Sequence, residues 1–185
     1  MNLPNKLTML RVLLVPVLVV FLSFETPACR LIALVVFTAA ALTDLFDGKI
    51  ARERGLVTDF GKFMDPIADK LLVMSAFVVF VAQGIMPAWV CIIMLAREFI
   101  VSGFRLVAAG KGKVIAAGIW GKLKTLTQMI FIPLAIVLLP VETILPVLSG
   151  FWTVMTVIVM YISAALTLWS GFLYVWENRQ YIEDM

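Results

Sequence analysis

At 185 residues, 63% of them hydrophobic and with a mean hydropathy of +1.06, the chain is far more apolar than soluble domains, where apolar residues make up roughly 45–50%. The net charge of +3 is modest, and histidine is absent, which excludes imidazole as general base, metal ligand or phosphate acceptor. The composition predicts an all-α integral membrane protein, one domain over residues 1–185, with room for about six spans of roughly 20 residues each.

Apolar runs broken by turn residues place the helices at Leu7–Phe24, Leu31–Arg52, Pro66–Gln83, Pro87–Ala109, Trp120–Leu139 and Leu145–Trp176. The first run has no small-residue cleavage site behind it and reads as a span. Asn5, Thr8 and Arg11 lie within two turns at its start. The second helix carries Asp44 and Asp47 near its end, and the third carries Asp65 and Asp69 at its start. Arg97, Glu98 and Arg105 interrupt the fourth, Lys122 and Lys124 open the fifth, and the five tryptophans, Trp89, Trp120, Trp152, Trp169 and Trp176, are read as interfacial anchors near helix ends. Cys29 and Cys91 have no ligand spacing and read as structural thiols.

Six spans put both termini on one side. All but Arg30 of the 15 Lys and Arg residues fall toward that side, so it is expected to be cytoplasmic and the protein to sit in the cell membrane. No nucleic-acid motif is present.

Ionisable groups within spans cost at least ~2.5–3.5 kcal/mol each, so they mark function by default. Counted at ~1.5 Å per residue from the outer helix ends, all four aspartates reach one depth, in the cytoplasmic third of the bilayer. Asp44, Asp47, Gly48 and Ala51 share a face at i, i+3, i+4, i+7, and Gly61, Asp65 and Asp69 repeat at i+4. Two antiparallel helices joined by a short loop then point carboxylates at each other. Four anions in a low dielectric require protonation or bound cations. Oxygen-only ligands favour Mg²⁺ or Mn²⁺ over zinc, and two such ions about 3.5–4 Å apart suit in-line displacement at phosphorus.

The fixed spacing Asp44, Asp47-Gly48, Ala51-Arg52, Gly61, Asp65 and Asp69 resembles, position for position, the motif of the CDP-alcohol phosphotransferase family. The resemblance implies six transmembrane helices, a homodimer, two metal ions per site, and transfer of a phosphatidyl group from a CDP-activated lipid to an alcohol. It makes Asp44, Asp47, Asp65 and Asp69 metal ligands and Asp69 also the base that deprotonates the acceptor. Gly48, Arg52, Thr58 and Gly61 would hold the CDP portion of the lipid, with Asn5 and Thr8 touching the cytidine or its phosphates. The alternative for those two is helix capping by Asn5 and back-bonding by Thr8. Leu3-Pro4-Asn5-Lys6-Leu7-Thr8, Ala96-Arg97-Glu98 and Gly121-Lys122-Leu123-Lys124-Thr125 resemble the family branch that uses CDP-diacylglycerol and glycerol 3-phosphate. That branch yields phosphatidylglycerophosphate and CMP.

An acceptor bearing phosphate needs cations of its own. Arg97 lies ~15 Å into the fourth helix, where it requires an anionic partner. Arg105 and Lys124, with Arg97 and Lys122, are the candidates for the acceptor phosphate. The alternative is that Arg97 pairs with a local acid such as Glu98, and that the lysines only mark topology. Lys111 and Lys113 read as leaflet contacts. Two broader alternatives stay open: another acceptor within the family (serine, inositol phosphate or phosphatidylglycerol), and a small cation channel or transporter in which the aspartates form a permeation site.

Overall fold

Short polar side chains and prolines set the helix starts in the computed structural model, which describes residues 2–53, 58–110 and 118–179, with backbone alone for 45–53, 59 and 62. Asn2 caps α1 (Leu3–Ser23) by accepting the Asn5 N–H at 3.1 Å. α2 (Pro27–Glu53) opens on a proline, which has no N–H to leave unsatisfied, while the Thr26 hydroxyl accepts the Cys29 N–H at 3.3 Å. Thr58 caps α3 (Asp59–Ala82) by accepting the Gly61 N–H at 3.1 Å. α4 (Ala88–Gly110), α5 (Ile119–Ile144) and α6 (Pro146–Glu177) complete an all-helical chain.

Two boundaries differ from the sequence reading for the same reason, a proline carried inside a helix. α3 starts at Asp59 rather than Pro66 because Thr58 supplies the cap. α5 continues through Pro133 and Pro140 to Ile144, leaving Leu145 alone between α5 and α6. Each proline costs one backbone hydrogen bond, which membrane helices tolerate when neighbours re-satisfy the freed carbonyl.

Leu3–Ser23, Pro27–Asp44, Ile119–Ile144 and Pro146–Glu177 are long and apolar enough to cross a membrane. α3 and α4 have similar lengths, 24 and 23 residues. They are set apart by charge: α3 keeps Asp65, Asp69 and Lys70, and α4 keeps Arg97, Glu98 and Arg105.

α1 packs against both α2 and α3, α5 pairs with α6, α4 lies on α6, and α2 joins the two groups through α5. α3 meets α4 and α5 only sparsely, and a cavity of about 390 Å³ opens there. Its closed end is the apolar core, where Phe131 of α5 meets Phe77 and Phe80 of α3 at ring separations of 6.0 and 5.9 Å. Helix association in lipid gains nothing from hydrophobicity itself, so such close contacts, about 0.5–1.5 kcal/mol per aromatic pair, are what join α3 to α5. The large apolar side chains left exposed, Val35, Leu106 and Val147 among them, suit lipid contact.

At the opposite end from the aspartates, buried Arg30 donates to Gln83 Oε1 at 2.5 Å, and Gln83 Nε2 donates to the Leu22 carbonyl at 2.7 Å. The guanidinium thereby ties the start of α2 to the C-terminal ends of α1 and α3, where a positive charge is favoured by the helix dipoles. This gives a physical reason for the one basic residue standing apart from the others in the topology argument.

Candidate active site

Helix α1 brings the carboxylates of α2 and α3 together. Arg11, fully buried, places Nη1 3.0 Å from Asp44 Oδ1 and 2.8 Å from Asp69 Oδ1, so one guanidinium nitrogen serves acids on two helices. One turn earlier, the Thr8 hydroxyl donates to Asp65 Oδ1 at 2.6 Å and also lies 3.2 Å from the Pro4 carbonyl. Another turn back, Asn5 Oδ1 accepts from the Thr58 hydroxyl at 2.9 Å. Asn5, Thr8 and Arg11 thus form one face of α1 that fixes the start and the acidic side of α3.

The sequence reading expects α2 and α3 to face each other directly. Among the described residues α2 and α3 share few contacts, and Arg11 bridges Asp44 of one to Asp69 of the other. Arg11 stands beside Asn5 and Thr8 in the sequence, yet spacing alone assigns it no role; a basic residue at the start of an apolar span, within reach of the aspartates, is the available signal. The capping alternative for Asn5 falls to Asn2, whereas Thr8 does back-bond to Pro4 while also reaching Asp65. Thr58 is the α3 cap.

Gly61 lies under this cluster. A Cβ added there would sit 3.2 Å from Asn5 Oδ1 and 3.3 Å from Thr58 Oγ1, so glycine permits the approach of α1 to the α3 start. Asp47, Gly48 and Arg52 lie on the α2 backbone one to two turns beyond Asp44, and their side chains fall outside the described residues, as do Lys111 and Lys113 altogether.

Asp44, Asp65 and Asp69 line the cavity together with Lys70, Arg97, Glu98, Arg105, Lys124 and Gln128. The polar wall opposite the aspartates is cationic and organised by a single acid. Glu98 Oε1 lies 3.2 Å from Arg97 Nη1 and accepts a second bond from Lys124 Nζ, which is also 3.4 Å from Gln128 Oε1. Arg97 has the anionic partner its depth demanded, on its own helix. Arg105 lies with its guanidinium carbon 5.7 Å from the Tyr174 ring centroid, within cation–π range. Lys122 is exposed and lines neither this cavity nor the smaller one of about 180 Å³ beyond Arg97 and Arg105. Gly171 of α6 meets the Arg97 stem, and a Cβ there would stand 2.9 Å from Arg97 Cγ.

Among the described residues, which exclude the side chain of Asp47, no three acidic, histidine or cysteine side chains form a ready metal cluster, and Arg11 Nη1 contacts both Asp44 and Asp69. The donor chemistry nonetheless fits a hard divalent cation, because the carboxylates around this end of the cavity offer oxygen alone.

The CDP-alcohol phosphatidyltransferase family profile matches residues 1–169. The chain is 43% identical over 141 residues to a Bacillus subtilis (strain 168) CDP-diacylglycerol–glycerol-3-phosphate 3-phosphatidyltransferase, covering 70% of this chain and 73% of that one. It is 41% identical over 177 residues to a probable phosphatidylglycerophosphate synthase of Mycobacterium tuberculosis (strain CDC 1551 / Oshkosh), covering 94% and 80%. A Rickettsia bellii (strain RML369-C) protein with the same name as the Bacillus one is 34% identical over 180 residues, 97% of each chain. With an acid-lined helical cavity and a match across nearly its whole length, the chain belongs to the CDP-alcohol phosphatidyltransferase family.

Proposed function

We propose that this chain transfers the phosphatidyl group of CDP-diacylglycerol to sn-glycerol 3-phosphate, giving phosphatidylglycerophosphate and CMP. The observation that carries the reading is one cavity with the motif carboxylates Asp44, Asp65 and Asp69 at one side and Arg97, Arg105 and Lys124 at the other. Relatives named for this reaction, matching at 34–43% identity, support it.

The acceptor hydroxyl forms a bond to the phosphatidyl phosphorus, the bond from that phosphorus to CMP breaks, and the hydroxyl proton passes to Asp69. A base held in position contributes about 10²–10⁴-fold in rate. Asp44, Asp47, Asp65 and Asp69 are the residues to hold two Mg²⁺ or Mn²⁺ ions, which when bound would supply charge neutralisation along the diphosphate. Gly48, Arg52, Thr58 and Gly61 take the CDP portion, with Asn5 and Thr8 against the cytidine or its phosphates, and the bonds of Asn5 to Thr58 and of Thr8 to Asp65 keep that side of the site in shape. Arg105 and Lys124 take the acceptor phosphate, assisted by Arg97; Lys122, exposed, contributes at most to the approach. In this reading the six helices cross the cell membrane with both termini and the cavity mouth on the cytoplasmic side, and the enzyme works as a homodimer.

The test is to give the purified protein CDP-diacylglycerol with glycerol 3-phosphate, serine, inositol phosphate or phosphatidylglycerol and identify the lipid. Phosphatidylglycerophosphate formed with glycerol 3-phosphate alone is the expected result, and a product with another acceptor overturns the assignment. Within it, Arg105→Ala and Lys124→Ala should raise the KM for glycerol 3-phosphate at least tenfold, as expected for losing a charged hydrogen bond of about 1.5–3 kcal/mol.

A further inference from the structure

The cationic wall contains its own anion. Glu98 takes Arg97 and Lys124 on one carboxylate oxygen, joining α4 to α5, although the cavity around it also holds Lys70 and Arg105. Its side chain is 19% exposed, against 10% for Arg97 and 5% for Lys124. The acid is therefore the member of the trio best able to swing into the cavity. Lys124 is confined, and if stripped of that anion it would be a buried ammonium whose remaining hydrogen-bond partner among the described residues is the Gln128 carbonyl oxygen at 3.4 Å.

Resting on the function proposed above, we infer that Glu98 is a built-in counter-anion which the acceptor's phosphate displaces from Lys124. Two cations, Arg97 and Lys124, share the one Glu98 oxygen, with Arg105 lining the same cavity, so a phosphate monoester can take over Lys124 and leave Glu98 with Arg97. An uncharged alcohol has nothing with which to make that exchange, and the single carboxylate of serine brings less negative charge than a phosphate monoester. Glu98 thus sets acceptor specificity by positioning, as it neither reacts nor carries the transferred group.

Inorganic phosphate is the direct probe, measured by isothermal titration on the purified full-length protein without metal and, separately, as a competitive inhibitor against glycerol 3-phosphate. Glu98→Gln keeps the shape and removes the competing charge. It should bind phosphate about tenfold more tightly, with a matching fall in the inhibition constant and an unchanged KM for CDP-diacylglycerol. Glu98→Asp keeps the charge one methylene further from Lys124 and should shift phosphate binding the same way by a smaller factor. Adding Lys124→Ala to the Glu98→Gln variant should abolish the gain. Phosphate bound equally or more weakly by Glu98→Gln would make the acid a strut and overturn the inference, as would failure of both Glu98 variants to fold. Failure of the function proposal appears separately, as a wild-type protein that makes no phosphatidylglycerophosphate while phosphate still binds.

Discussion

Asp69 and Arg11 show how one contact carries both stability and chemistry. Arg11 is fully buried and neutralises Asp44 and Asp69, whose side chains are 40% and 47% exposed. Breaking a buried pair costs several kcal/mol, and the half-exposed acids reduce that to roughly 2 kcal/mol here. Arg11→Met should lower the melting temperature of the metal-free protein, and added Mg²⁺ should restore more of it than in the parent; equal stabilisation of both would argue against shared neutralisation of these acids. Asp69→Asn should abolish turnover while donor binding persists, checked by product assay beside CDP-diacylglycerol binding. Wild-type turnover would refute a base role. That Asp44, Asp65 and Asp69 share one cavity was legible because spacing puts them on helix faces; the side chain of Asp47 lies outside the described residues. The bridging position of Arg11 was not legible, because it depends on α1 packing against both α2 and α3, which no local pattern encodes.

The start of α3 is where local signals and tertiary contacts meet. Thr58 caps the helix, Gly61 clears room for Asn5, and Asp65 receives Thr8 four residues on. Thr58→Ala should cost about 1 kcal/mol of stability from the lost cap. Gly61→Ala should impair activity more than stability, by pushing Asn5 or Thr58 out of place; a thermal melt read beside kcat distinguishes the two. In α6, Gly171→Ala should displace the Arg97 stem and raise the KM for the acceptor without changing that for the lipid donor. A changed donor KM instead would place Arg97 on the donor side. The six helices were readable from apolar runs, but proline misled the reading at Pro66 and Pro140, where capping and membrane surroundings outweigh the missing N–H. Gly171 carried no sequence signal, since its neighbour Arg97 is remote in the chain.

Across the whole molecule, charge decides what each helix does. Four helices are apolar enough to span, while α3 and α4 trade hydropathy for the acids and bases that face the cavity. Their sparse contact leaves the space in which lipid and water-soluble substrates can meet. The sequence could indicate that such a place existed, because charges inside apolar helices need partners. It offered Glu98 as a partner for Arg97, but could not indicate that Lys124 of α5 would share the same carboxylate oxygen. The most direct measurement of the central claim is release of labelled CMP from CDP-diacylglycerol with glycerol 3-phosphate, titrated with a chelator and then with Mg²⁺ or Mn²⁺. The account predicts that release stops in excess chelator and returns with the divalent ion, together with phosphatidylglycerophosphate; undiminished release in excess chelator would contradict it.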